Sequence, residues 1–287
     1  GTMANLVAML THCQRGDEII LGDESHTFYY ESGGVSALGG VHPHLLPNDP
    51  QGRLDPRQVE AAIRPTYNIR FPTTRLICLE NTHNRCSGAV LTPEYTESIV
   101  EIARRHGVMV HLDGARIFNA AVALEVEPVE LARGVDSVTF CLSKGLACPV
   151  GSVLCGSAEF IKRARRTRQM VGGGMRQAGI VAAAGLYALE HMVDRLAEDH
   201  ANARTLADGL AELPGLSIDP SMAQTNIVIF DLDAGIPAEP FIAVLRERGL
   251  LVSRYGDQRL RMVTHFGITE ADVKEALRIM GEALREG

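Results

Sequence analysis

Several broad classes are excluded by what the chain lacks. No stretch approaches the roughly 18 apolar residues that a membrane span needs, and no signal-peptide pattern is recognisable. No membrane partner is expected, and a cytoplasmic location is. The six cysteines (Cys13, Cys78, Cys86, Cys141, Cys148 and Cys155) form no CxxC pair and no Cys/His ligand spacing. They read as buried thiols in a reducing compartment, and no metal site is expected. A basic stripe is missing too: 28 Lys and Arg stand against 35 Asp and Glu, and the net charge of −7 is spread with both signs intermingled. That leaves no footprint for a nucleic acid. The exception is Lys162-Arg163-Ala164-Arg165-Arg166-Thr167-Arg168, which is either the polar face of a helix or a patch for subunit contact or phosphate steering. Internal repeats and low-complexity segments are absent.

What is present is a chain of 287 residues with 46% hydrophobic content, enough for a large domain and a smaller one. Its most informative stretch is Phe140-Cys141-Leu142-Ser143-Lys144-Gly145-Leu146, together with His111-Leu112-Asp113-Gly114-Ala115-Arg116 upstream. In each, an apolar run gives way to a charged residue beside glycine, as at the end of a buried strand. Their separation suits a βαβ unit, and in an open parallel sheet such strand ends share the edge where ligands bind. A strand-terminal lysine alone reads as a solvated charge. Joined by Asp113, it suggests a cofactor with a carbonyl for the amine and a basic ring nitrogen for the carboxylate, which describes pyridoxal 5'-phosphate.

Taken in order, residues 2–15 read as a helix with Thr2 as N-cap and Gly16 as stop. Gly1 and Thr2 then stand at a helix N-terminus, serving either a phosphate or only the helix's own cap. The strand Glu18-Ile19-Ile20-Leu21 empties toward His26, which is placed either to stack on a flat cofactor or to remain a surface or cap histidine. Residues 27–40 read as a helix with a glycine exit. Asp55-Pro56 and Thr92-Pro93-Glu94 open further helices, and Gly107 closes the second. Leu76-Ile77-Cys78-Leu79 is a buried strand ending in Glu80-Asn81-Thr82-His83-Asn84, a run of polar groups that is expensive at a sheet edge unless a ligand or water meets it. Residues 177–213 read as one long helical stretch broken at Pro214-Gly215. Beyond it, short strands at 226–230 and 259–264 and helices at 239–247 and 269–284 form a smaller α/β layer.

With these residues in view, the chain resembles the low-specificity L-threonine aldolases, within the fold-type I pyridoxal-phosphate enzymes. The likeness runs from Gly1-Thr2-Met3-Ala4-Asn5 through the strings around His83, Asp113 and Lys144 to Gly172-Gly173-Gly174-Met175-Arg176-Gln177 and Arg261-Met262-Val263-Thr264-His265. The resemblance implies an α/β fold with a mostly parallel seven-stranded sheet between helices. It places a large cofactor-binding domain in residues 1–195 and a small C-terminal α/β domain in 196–287. It also implies retro-aldol cleavage of L-threonine or L-allo-threonine to glycine and acetaldehyde. β-Elimination, serine hydroxymethyl transfer and a non-catalytic homologue stand as the alternatives.

Residue by residue, the resemblance makes Lys144 the covalent anchor of the cofactor and Asp113 the partner of its ring nitrogen. His26 stacks on the ring, Gly1 and Thr2 hold the phosphate, and Arg116 belongs to both the cofactor and the substrate set. Arg116 and Arg261 clamp the amino acid's carboxylate, a planar anion that matches the guanidinium fork. His83 serves the β-hydroxyl, as the base or as the holder of a water. Lys144, His83, His26 and Asp113 are thus the implied catalytic set, and a homodimer or homotetramer the implied assembly. The resemblance also implies a preceding segment of roughly fifty residues, whose loss would expose apolar surface. That segment carries a Ser-Asp-Thr motif for the substrate carboxylate and an arm that reaches the neighbouring subunit.

Overall fold

The computed structural model describes residues 1–286, which divide into two compact units. The first comprises 1–86 and 90–193, the second 87–89 and the chain from Asp194 onward.

The first unit is built on six strands: β1 (Asp17–Gly22), β2 (His42–Leu46), β3 (Thr73–Glu80), β4 (Met109–Asp113), β5 (Ser137–Cys141) and β6 (Ser152–Gly156). They lie in the order β2-β1-β3-β4-β5-β6, all parallel except β6, which runs antiparallel to β5. Among the described residues this sheet therefore has six strands where seven were expected. The order ends at β6, which has β5 as its one strand neighbour.

Alternation along the strands sends their apolar residues to two cores, as a sheet covered on both faces requires. Ile20, Ile77, Leu79, Val110 and Leu112 join the core that also holds α4 (Pro56–Ala62), α5 (Pro93–His106) and α6 (Ile117–Leu124), with the short α7 (Pro128–Leu131) beside it. Ile19, Leu21, Leu76 and Cys78 turn the other way, to Met9 of α1 (Thr2–His12). Val7 and Ala8 of α1 also pack on Phe160 and Ala164 of α8 (Ala158–Met170). Each such fully buried aliphatic side chain contributes about 1.5–3 kcal/mol.

Local signals explain most boundaries. Asp55 caps α4 by accepting from the Arg57 N–H, and Thr92 caps α5 by accepting from the Tyr95 N–H; Gly107 ends α5 in a left-handed turn. Two expectations need correction. The N-cap of α1 is Gly1, not Thr2, and the helix ends at His12 with Cys13 already extended. The segment expected as one helix over 27–40 is two single turns, α2 (His26–Tyr29) and α3 (Gly34–Ala37). Ser32 and Gly33, both at positive φ (54° and 64°), break the helical path between them.

The stretch 177–213 likewise divides, into α9 (Gly179–His191) and α10 (Leu196–Ala211). Ala188 of α9 is buried in a first-unit cluster with Leu142, Leu146 and Cys148, whereas Leu206, Ala207 and Leu210 of α10 belong to the core of the second unit. The basic run 162–168 forms the outer face of α8, its charged residues exposed while Ala164 and Thr167 point inward. All six cysteines are free, and only Cys155 is exposed.

In the second unit, β7 (Leu216–Ser217), β8 (Ile227–Leu232), β9 (Ser253–Arg254) and β10 (Arg259–Val263) form an antiparallel sheet in the order β7-β8-β10-β9. Its core unites this sheet with α10, α11 (Ala238–Glu247) and α12 (Glu270–Glu286). No helix among the described residues is long and apolar enough to cross a membrane.

Candidate active site

The strand order of the first unit reverses at β1: β2 lies on one side, and β3, β4 and β5 step away on the other. Such a switch point opens a crevice beyond the carboxyl ends of the strands. The register puts Glu80 of β3 level with Asp113 of β4, and Asp113 level with Thr139 of β5. The loops that follow these strands carry the residues singled out above.

Asp113 is buried at the tip of β4. Its Oδ1 accepts the Ala115 N–H at 3.1 Å and its Oδ2 accepts the Asn5 amide at 2.8 Å. The same Asn5 Nδ2 donates to Glu31 Oε1 at 2.9 Å, and Glu31 in turn holds His26 Nδ1 at 3.1 Å. The Asp113 and Glu31 carboxylates and a His26 ring nitrogen thus converge within 4.8 Å of one another. Because a donor, the Asn5 amide, bridges the two carboxylates, the set is a hydrogen-bond array rather than a cation cage. The Glu31 bond is the main reason the His26 pKa is raised; burial opposes it, and the Glu80 and Asp113 charges add to it.

Glu80 organises the neighbouring loops, its carboxylate accepting the His26 N–H at 2.7 Å and the Asn84 N–H at 2.8 Å. Three residues past it, His83 is 1% exposed, and neither ring nitrogen has a hydrogen-bond partner. Glu80 Oε2 stands 3.9 Å from its Nε2, beyond bonding range. Gly52, at φ 75°, lies flush against this imidazole: a Cβ there would come within 2.6 Å of His83 Cβ and Cγ. A buried imidazole with two idle nitrogens is costly in a finished site and fits a place where a ligand's polar groups complete the bonding. Arg116, buried at the start of α6, extends Nη1 to Asn84 Oδ1 at 3.5 Å.

Lys144, half-buried, lies three residues beyond β5 in a turn closed by Ala147 N–H to the Lys144 carbonyl and Cys148 N–H to the Leu142 carbonyl. The end of β5 is tied to the loop after Asp113 by the Cys141 N–H to the Ala115 carbonyl at 3.4 Å. Gly1 abuts the same point, since a Cβ on it would sit 3.2 Å from Cys141 Sγ. The first N–H groups of α1 precede its hydrogen-bond ladder and are available to an anion. Arg261 belongs to the second unit, on β10, with its guanidinium 4.7 Å from the centre of the Tyr255 ring. The parts in the first unit fit pyridoxal phosphate: a buried carboxylate for the ring nitrogen, an imidazole converging on it, a helix N-terminus and a lysine at one sheet edge.

Sequence reasoning missed Asn5, Glu31 and the bridging role of Glu80. Asn5 carried one legible signal, a polar residue on the apolar, buried face of α1 with Ala8 and Met9.

A parallel-sheet crevice with an acid on one strand end and a lysine past the next is the architecture of the fold-type I pyridoxal-phosphate enzymes, and comparison with known proteins narrows it. The chain belongs to the β-eliminating lyase family, whose model matches residues 1–234. It is 46% identical to low-specificity L-threonine aldolase 1 of Arabidopsis thaliana, over 99% of this chain and 80% of the relative. It is 42% identical to the low specificity L-threonine aldolase of Escherichia coli strain K12, over 96% of this chain and 80% of the relative. Among solved structures, the threonine aldolase of Leishmania major aligns with a TM-score of 0.80 at 21% identity, covering 100% of this chain and 82% of that one. At that identity the likeness speaks to fold alone, and the fold it supports is the α/β architecture expected.

Proposed function

We propose that this chain is a pyridoxal-phosphate-dependent aldehyde-lyase that cleaves L-threonine, L-allo-threonine and related β-hydroxy-α-amino acids to glycine and an aldehyde. The observation that carries the reading is the pairing of a buried, hydrogen-bonded Asp113 with Lys144 at one sheet edge, in a chain 42–46% identical to named threonine aldolases. When bound, pyridoxal phosphate supplies the electron sink for the pair left on Cα as the Cα–Cβ bond breaks.

The chain's own residues do the rest. Lys144 would hold the cofactor through its amine. Asp113 would meet the ring nitrogen with a charge-assisted hydrogen bond. His26 would hold the ring from one side, while Gly1 and Thr2 would offer backbone N–H groups to the phosphate. Arg116 would take the α-carboxylate in its guanidinium fork and so orient the substrate. The substrate-carboxylate role of Arg261 rests on the family resemblance alone. His83, with both ring nitrogens idle, receives the β-hydroxyl proton directly or through a water as the hydroxyl carbon becomes the aldehyde carbonyl.

Incubation with L-threonine and with L-allo-threonine is expected to release acetaldehyde and glycine in equal amounts. Ammonia with a keto acid in their place would assign the chain to β-elimination instead.

We infer further that copies of the chain associate. The α9 helix is apolar around most of its surface yet leaves Ile180 82%, Leu186 64% and Tyr187 61% exposed, with Met170 and Met175 exposed nearby in sequence. Light scattering on the eluting peak is expected to give a multiple of the 31.1 kDa chain mass; a monomer at micromolar concentration would overturn this.

A further inference from the structure

Behind Asp113 lies a chain of buried and half-buried polar groups that the reaction as described does not use. His111 and Asp113 alternate on one face of β4, and Ser137 and Thr139 on the facing side of β5; His111 is in register with Ser137. Asn5 and His12, seven residues apart on α1, meet this face. Asn5 Oδ1 lies 3.0 Å from Thr139 Oγ1 and 3.2 Å from His111 Nε2. Ser137 Oγ lies 2.8 Å from His111 Nδ1 and 2.8 Å from His12 Nε2.

Donor and acceptor chemistry, with both imidazoles neutral, sets the direction of the bonds in this chain. The Asn5 atom that faces two carboxylate oxygens must be its NH₂ group, so the other is the carbonyl, an acceptor. His111 Nε2 therefore carries the proton donated to Asn5. Burial holds the His111 pKa down to about 4 against the pull of Asp113 and of the Ser137 backbone, so the ring is neutral near pH 7, and with its proton on Nε2 its Nδ1 is an acceptor. The Ser137 hydroxyl must then donate to His111, which leaves its oxygen to accept from His12 Nε2–H. His12 is neutral as well, its pKa lowered to about 3 by burial first and by the His111 and Arg163 charges after it. Its Nδ1 is buried without a partner, and its ring stacks on Phe160 at 4.5 Å. The relay thus begins at an imidazole nitrogen with nothing behind it, and every N–H and O–H along it points toward Asp113 and Glu31.

We propose that His12, Ser137, His111 and Asn5 form a one-directional hydrogen-bond relay that positions the Asp113 carboxylate for the cofactor ring nitrogen, so that α1 serves the phosphate at its first residue and the ring nitrogen from its interior. The proposal rests on the functional reading above. The four are positioning residues: none touches substrate, and each acts through Asp113. Aligned donors stabilise a negative charge more than isolated bonds do, because each bond polarises the next.

The test uses the full chain loaded with pyridoxal 5'-phosphate. Ser137→Ala removes one oxygen from the middle of the relay, and Asn5→Leu removes its hub. Ser137→Ala is expected to weaken cofactor binding about 3- to 10-fold and to lower kcat for L-threonine by about 10-fold with KM unchanged, as loss of one bond in a charged array implies. The pH midpoint of the visible cofactor band is expected to rise in both variants, since a ring that loses its positive charge makes the lysine nitrogen easier to protonate. Asn5→Leu is expected to do more on every measure. Wild-type affinity, band midpoint and kcat in folded Ser137→Ala protein would reduce the relay to packing, whatever the fate of Asn5→Leu. A wild-type chain that neither binds the cofactor nor releases acetaldehyde would instead remove the functional reading itself.

Discussion

Lys144→Ala protein is expected to lose the visible band of covalently held cofactor and to cleave L-threonine slower by on the order of 10³-fold or more, the scale on which removal of a covalent catalyst is felt. The lysine stands in a turn fastened on both sides, by Cys148 N–H to the Leu142 carbonyl and Leu142 N–H to the Gly151 carbonyl. Truncating a half-buried side chain there leaves those backbone bonds in place. The fold should survive, and the thermal midpoint should move by only a few degrees at most. Loss of activity without loss of structure is the signature of a chemical role. A band that persists unchanged in the variant would mean that another amine holds the cofactor, and Lys144 would lose its assignment.

Asp113→Ala is expected to act differently, through structure and chemistry together. The carboxylate accepts from both Asn5 and the Ala115 N–H, so its removal strands buried donors at about 1–3 kcal/mol each. Cofactor binding should weaken, and turnover should fall by on the order of 10²–10³, the range seen when one preorganised electrostatic partner is deleted. Asp113→Asn separates the two effects. It keeps the shape and one acceptor, for Asn5, but sets an NH₂ group against the Ala115 N–H and removes the negative charge, so stability should recover only in part while turnover stays low. If turnover recovered with it, the ring nitrogen would need no anionic partner and the electron-sink argument would fail.

Much of the first unit was legible in the chain because its signals are local. Thr92-Pro93, Asp55-Pro56 and Gly107 mark helix ends by capping and by backbone freedom, which depend on a few neighbouring residues. Apolar runs ending at Asp113 and near Lys144 mark strand tips for the same reason. Residues 27–40 misled because Ser32 looks ordinary in sequence, yet it takes a positive φ just after Glu31, whose carboxylate holds His26. The division of 177–213 was equally hidden: no proline or glycine marks it, and only the assignment of Ala188 and Leu206 to separate cores calls for it.

The sequence by itself determined the strand-and-helix alternation, the acid and the lysine at neighbouring strand ends, and through them the class of chemistry. These depend on periodicity and on residue type, both carried by short stretches. The tertiary structure alone decided that Asn5 would lie against Asp113, 108 residues away, and that His12, Ser137 and His111 would line up behind it. Sheet register and the seating of α1 on one face of β4 and β5 bring those groups together, and the direction of their hydrogen bonds follows only once they are within reach of one another.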